Sequence, residues 1–315
     1  MSNSPLYLTE SDVADLVTVK DAIATTDVML AAWHDGLTAN LPRQRAPVGS
    51  GFLNLMGATL GSRDVLGFKA YFAKSHHFML YSVGQSRLIA IIESSLLRKL
   101  RTGAASGVAT RAMARPDSKV LGVIGTGSQS PAQLAAICAV RPIERIRVFS
   151  RNAEKREAFA RDMESILGVE VRPASSAATC VEGADVVVLI TRSATPVCRS
   201  EWLGNGVHVN AAGANAADRR ELDAATVLRA KTLVTDHREQ AKVEAAEFID
   251  LAAEGRLAWS DVHELADIAG GRHPGRSSAN ELTLFKSLGI ALEDVAFAAL
   301  IYRRAVEAGI RRTMS

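Results

Sequence analysis

The chain has 315 residues and a net charge of +3, from 37 Lys and Arg against 34 Asp and Glu. Hydrophobic residues make up 48% and charged residues 23%, the balance of a folded globular chain, and the length suits about two domains. So small and mixed a charge excludes a nucleic-acid footprint, and no apolar run reaches the roughly 18 residues that cross a bilayer.

Met1 to Leu8 has no basic stretch ahead of an apolar core, so no signal peptide is expected. Cys138, Cys180 and Cys198 form no CxxC pair and are odd in number, which points to reduced thiols, a cytoplasmic location and no zinc site. Adjacent His76 and His77 point apart on a strand or helix, so no metal site is expected there. Thr9 to Leu37 contains an amphipathic helix with Val19, Ala22, Ile23, Val28 and Met29 as its buried face. Strands follow at Gly51–Met56, Val65–Phe72 and Phe78–Val83. Glu93 to Ala114 reads as a long helix, because Leu96, Leu97, Leu100, Ala104, Val108 and Met113 recur at helical spacing; Pro116 stops it.

From residue 119 onward strands and helices alternate. Strands are predicted at Val120–Ile124, Arg145–Phe149, Val186–Ile190, His208–Ala212 and Thr232–Thr235, and helices at Pro131–Val140 and Ala153–Leu167. Gly270 to Ser278 is a polar loop, and residues 291–315 form one closing helix. This alternation predicts an α/β fold with a mostly parallel sheet and right-handed crossovers.

The strand Val120–Ile124 runs into Gly125-Thr126-Gly127-Ser128-Gln129-Ser130 and then a helix with Pro131 near its start. This is G-x-G-x-x-S, a variant of the dinucleotide fingerprint. Gly125 permits the tight turn, Gly127 lets the backbone approach a pyrophosphate, and Ser130 stands where a third glycine usually packs helix on strand. The helix start offers unpaired amides to the phosphates. The second strand ends in Phe149-Ser150-Arg151-Asn152, with no carboxylate to accept from a ribose 2′-OH. Ser150 and Arg151 suit a 2′-phosphate instead, so NADP(H) is favoured over NAD(H). Thr191 follows a buried strand at its C-terminal end, where cofactors bind in open α/β sheets.

Leu100-Arg-Thr-Gly-Ala-Ala-Ser-Gly-Val-Ala-Thr110, followed by Gly122-Val-Ile-Gly-Thr-Gly-Ser-Gln129, resembles the ornithine cyclodeaminase/μ-crystallin family, which includes archaeal-type alanine dehydrogenase and imine and ketimine reductases. Gly67-Phe-Lys69, Asn210-Ala-Ala-Gly-Ala-Asn215, Arg220-Glu-Leu-Asp223 and Phe285–Asp294 match in family order. The resemblance implies a Rossmann-type doubly wound parallel sheet inserted in an α+β substrate and dimerisation domain. The boundaries would be 1–118 plus 291–315 for the substrate domain and 119–290 for the dinucleotide domain. It also implies a homodimer. Arg45 and Arg101 take the places of substrate-carboxylate arginines, and Lys69 that of an active-site lysine. Ser287 and Gly289 match a turn near the nicotinamide.

One departure matters. The cyclodeaminases carry an aspartate where this chain has Asn215, and an asparagine exchanges no proton at accessible pH. The segment Ala70–Tyr81 also departs from the cyclodeaminases, so no residue is carried over from it. The first expectation is therefore reduction of the C=N bond of a small α-imino acid, or the reverse amino-acid dehydrogenation, with Lys69 and Asn215 at the reacting centre. A cyclodeaminase making proline from ornithine, and a non-catalytic NADPH-binding protein, are the alternatives.

Overall fold

The computed structural model describes residues 4–49, 51–72 and 75–313. The chain divides into two compact units, Met1–Arg101 with Gly289–Ser315, and Thr102–Leu288. The second is thus an insertion in the sequence of the first.

The first unit opens with β1 (Leu6–Leu8), α1 (Glu10–Leu16) and α2 (Val19–His34). The single helix expected within Thr9–Leu37 is two helices. Thr9 and Thr18 each begin one with a capping box, through Asp12 and Asp21. Ala22, Ile23 and Met29 are buried as expected, but Val28 is 45% exposed, and Thr26 and Leu30 complete the inner face instead. Next come β2 (Thr38–Val48), β3 (Gly51–Leu60), β4 (Val65–Phe72), β5 (Ser75–Ser82) and β6 (Arg87–Glu93). They form an antiparallel meander, and β1 adds beside β6 in parallel. β2 has no clear sequence signal because it holds Pro42 and Pro47; it is an edge strand, where proline is tolerated. Between Leu41 and Gln44 its register shifts, so Pro42 and Arg43 stand opposite Met56 alone.

The division between units falls inside α3 (Ser95–Met113). Its middle, Arg101 to Thr110, is buried all round, as befits its run of Gly, Ala and Ser. A Cβ on Gly103 would stand 2.4 Å from the Ala132 carbonyl oxygen, so glycine permits this close helix approach. The rest of the second unit runs β7 (Val120–Ile124), α4 (Ser130–Val140), β8 (Arg145–Phe149), α5 (Ala153–Leu167), β9 (Glu170–Pro173), α6 (Ala177–Val181), β10 (Val186–Leu189), β11 (His208–Ala211), α7 (Ala224–Arg229) and β12 (Thr232–Thr235). It closes with α8 (Arg238–Glu244), α9 (Ala246–Ala253), β13 (Val262–Glu264), α10 (Leu265–Ala269) and β14 (Thr283–Lys286). Then α11 (Ala291–Glu307) returns to the first unit and packs on β2 to β5.

The eight strands of the second unit are all parallel, in the order β13-β12-β14-β11-β10-β7-β8-β9. The order reverses between β7 and β10, the switch point of a doubly wound sheet. Val186 and Val188 of β10 join one core cluster, and Val187 and Leu189 join another. The sheet is therefore buried on both faces, which is why this strand reads as an unbroken apolar run.

Candidate active site

In the second unit, β7 leads into the loop Gly125–Gln129. Gly125 has φ +116°, and a Cβ there would lie 2.4 Å from the Ile190 carbonyl oxygen, so no other residue fits. At Gly127 a Cβ would meet nothing within 4 Å, so the loop is open on that side. The Ser130 hydroxyl donates back to the Gly125 carbonyl at 2.8 Å. No side chain caps the start of α4, and Pro131 sits in its first turn. An open loop beside an uncapped helix start is a ready seat for phosphate.

At the end of β8, Thr126 Oγ1 donates to Ser150 Oγ at 3.0 Å. Arg151 is exposed. Arg156, which no sequence motif marks, donates from Nη1 to the Ser150 carbonyl at 2.6 Å and lies over the Phe149 ring at 5.3 Å. The pairing of β8 with β7 brings this strand end beside the loop that follows β7.

Glu221 organises the loops after β10 and β11. Its carboxylate accepts from Thr191 N at 2.6 Å and Thr191 Oγ1 at 2.8 Å, and from Gly213 N at 2.7 Å and Ala214 N at 3.0 Å. Burial pushes this carboxyl above its ordinary range. The half-buried Asn215 follows directly on that loop. Ser287 Oγ donates to Asp236 at 3.2 Å, and Leu288 N donates to the same carboxylate at 2.9 Å. The Arg220–Asp223 match assigns no role to Glu221; its function in holding two loops needs the sheet's neighbour order.

In the first unit, alternation along β4 turns Val65, Gly67 and Lys69 inward. Lys69 is 2% exposed. Its Nζ donates to Asp294 Oδ2 at 2.7 Å and lies 5.6 Å from the centre of the Tyr71 ring. Arg101 donates from Nε to Asp294 Oδ1 at 3.1 Å and pairs with Glu293. Burial lowers the Lys69 ammonium to about 8; Asp294 opposes this, while Arg101 and Arg43 add to it. Burial alone would raise the Asp294 carboxyl, but Arg101 and Lys69 reverse that and hold it below its ordinary value.

Arg43, which the resemblance does not mark, is the arginine buried beside Lys69. The bulge carries Arg43 opposite Met56, which itself pairs with Lys69. Arg43 is 6% exposed and donates from Nη2 to the Gly289 carbonyl at 2.9 Å. Arg45 is half-buried one pleat away, paired with Asn54 in the row of Tyr71 and His76. Counting from the motif alone cannot separate the two, because Arg43 and Arg45 are two residues apart and share a face; only the register sets Arg43 in the row of Lys69. Glu293 and Asp294 are legible in the sequence only as part of a matching stretch. The departing segment Ala70–Tyr81 is the β4–β5 hairpin, whose residues 73–74 lie outside the described residues.

Burial raises all three thiols, to about 11 for Cys138 and about 12 for Cys180 and Cys198, so they act as neutral core groups. Among the described residues no group of three His, Cys, Asp or Glu stands where it could hold a metal ion.

The ornithine cyclodeaminase/mu-crystallin family profile matches residues 3–309. The chain belongs to this family. A Δ1-pyrroline-2-carboxylate reductase of Bacillus cereus is 38% identical over 223 residues, 70% of this chain and 68% of that one. The solved structure of Thermococcus litoralis Δ1-pyrroline-2-carboxylate reductase, in complex with NADH and L-proline, matches with a TM-score of 0.94 and 33% identity, over 98% of this chain and 100% of that one. An archaeal alanine dehydrogenase dimer with bound NAD matches with a TM-score of 0.92 and 27% identity, over 99% of each chain.

Proposed function

We propose that this member of the family is an NAD(P)H-dependent imine reductase acting on a small α-imino acid, or the corresponding amino-acid dehydrogenase in reverse. The buried charge of the first unit carries this reading. Among its described residues the buried charged side chains are Arg43, Lys69 and Arg101 against Glu293 and Asp294, an excess of cations over anions. Excess buried charge is costly, and a substrate carboxylate neutralises it.

In this reading Arg43 and Arg101 hold the carboxylate, Arg45 standing at the outer edge of the same sheet face. Lys69 passes its proton to the imine nitrogen; an ammonium lowered to about 8 is well matched to that task near neutral pH. When bound, NAD(P)H supplies the hydride for the imine carbon. Gly125, Thr126, Gly127, Ser128 and Gln129 would hold the pyrophosphate, and the open space at Gly127 with the uncapped start of α4 fits that group. Thr191, Ser287 and Asn215 belong to the nicotinamide end. Ser150 and Arg151, with Arg156 behind them, support NADP(H) over NAD(H).

The pyrroline-2-carboxylate reductases among the relatives make a five-membered cyclic imine the first substrate to try. Asn215 weighs against the cyclodeaminase alternative. The face of the first sheet opposite Lys69 carries Leu41, Leu53, Leu55, Phe68 and Phe72, each 37% to 64% exposed. An apolar sheet face of this kind supports a homodimer, and the related archaeal alanine dehydrogenase is a dimer. Three free thiols suit a cytoplasmic location.

The deciding experiment follows NADPH and NADH oxidation with pyrroline-2-carboxylate, piperideine-2-carboxylate, and pyruvate or glyoxylate with ammonia or methylamine. L-Ornithine with NAD+ runs beside it, assayed for proline and ammonia. Oxidation on the imine panel without proline from ornithine supports the reductase. Proline from ornithine overturns it in favour of the cyclodeaminase. Silence on both with NADPH bound favours the binding protein.

A further inference from the structure

We infer that Asp294 is a positioning residue for the reduction: its buried carboxylate holds the Lys69 ammonium and the Arg101 guanidinium in one array and keeps the ammonium charged until the substrate nitrogen takes the proton. This rests on the reading of Lys69 as proton donor.

The geometry is that of a two-sided clamp. Oδ2 takes Lys69 Nζ at 2.7 Å and Oδ1 takes Arg101 Nε at 3.1 Å, with the Asp294 side chain fully buried. Asp294 lies in the first turn of α11, where the helix dipole favours an anion. Titratable and charged groups surround this array: β2 brings Arg43, β4 Tyr71, α3 Arg101 and α11 Asp294 to Lys69, His76 of β5 lies within reach of Lys69, Arg98 and Asp294, and Glu293 pairs with Arg101. Of the two carboxylates, only Asp294 touches Lys69; Glu293 pairs with Arg101. With Asp294 neutral, the lysine would be left buried among like charges, and both conditions drive off its proton. After the transfer, the proton sits on the substrate nitrogen and Lys69 is a neutral amine. That amine still has a donor for the Asp294 oxygen, so it stays in place for reprotonation from solvent.

The test compares Asp294→Asn, Asp294→Glu and Glu293→Gln. In lysine-labelled protein the Lys69 side-chain resonance, assigned by its absence in Lys69→Met, is titrated by NMR without substrate or dinucleotide. Asp294→Asn is expected to move its midpoint down by about 1 to 3 pH units, because a charge partner within about 4 to 6 Å is lost. The alkaline limb of kcat/KM should move by the same amount. Asp294→Glu keeps the charge and should leave the midpoint within a few tenths of a unit, while kcat falls. Glu293→Gln should leave the midpoint in place and raise KM. An unmoved midpoint in Asp294→Asn overturns the inference. If Asp294→Asn does not fold, a full-unit drop in Asp294→Glu overturns it equally. A wild-type protein silent on every imine overturns the proposed function instead, and the NMR midpoints still judge Asp294.

Discussion

Arg43 donates from Nη2 to the carbonyl of Gly289 at 2.9 Å, tying the bulge of β2 to the turn that enters α11. The backbone bond fixes one edge of the guanidinium beside Lys69. Arg43→Met should therefore lower kcat/KM for an imino acid by about 10- to 100-fold, the loss of a hydrogen bond to a charged group. Arg45→Met should cost only a few-fold. Steady-state kinetics on both variants decides, and the opposite ranking would return the carboxylate role to Arg45.

Lys69→Met removes the proposed proton donor. Turnover should fall by about 100-fold or more, while NADPH affinity, read by fluorescence titration, stays unchanged. In the wild-type enzyme the sign of the pH dependence follows from the donor role. The charged form is the active one, so kcat/KM should decline as pH rises through about 8. A profile flat to pH 10 would remove Lys69 from the proton transfer.

Ser150→Asp places a carboxylate at the end of β8, where Ser150 meets Thr126. Repulsion of a 2′-phosphate and attraction of a 2′-hydroxyl should together shift the NADPH-to-NADH preference by about tenfold or more, a difference of roughly 1.4 kcal/mol. Dissociation constants for both dinucleotides give the answer. An unchanged ratio would disconnect this strand end from cofactor choice.

His208 lies fully buried in β11, with Nδ1 2.9 Å from Thr283 Oγ1. Burial lowers it to about 3. An unfolded chain takes up this proton near the ordinary histidine value of about 6.5, and the folded one refuses it. Stability should therefore fall as pH drops from about 6.5 towards 3, and His208→Gln should flatten that slope. Denaturant midpoints at several pH values measure it, and parallel slopes in the two proteins would refute it.

Gly103 has no room for a methyl group against the Ala132 carbonyl. Gly103→Ala should destabilise the fold by about 1 to 3 kcal/mol through overpacking, despite alanine's better helix propensity. A thermal midpoint at or above the wild type would show that α3 and α4 can move apart without cost.

The strands Val65–Phe72, Val120–Ile124, Arg145–Phe149 and Thr232–Thr235 and the helix Ala153–Leu167 fall where the spacing predicts them. The longer of these are runs with one clear period and a recognisable stop, and Thr232–Thr235 reads as a short apolar run. By contrast, β9, β13 and β14 span three or four residues, too short to show any period. The helix expected within Thr9–Leu37 splits because two capping boxes lie nine residues apart in sequence, at Thr9 and Thr18, and the second starts a new helix.

The local sequence alone determined the turn of the glycine-rich loop after β7, because Gly125, Gly127 and Ser130 are neighbours in the chain and their backbone demands are local. It also determined Lys69 as an inward charge, through the alternation of one strand. Only the tertiary structure decided which arginine lies in its row, since Arg43 and Arg45 share a face and the strand register alone sets Arg43 opposite Met56 and Arg45 opposite Asn54. Only the tertiary structure revealed the carboxylate between Lys69 and Arg101. Asp294 lies 225 residues from Lys69, and a charge that far along the chain acquires its partner only when α11 packs on the sheet.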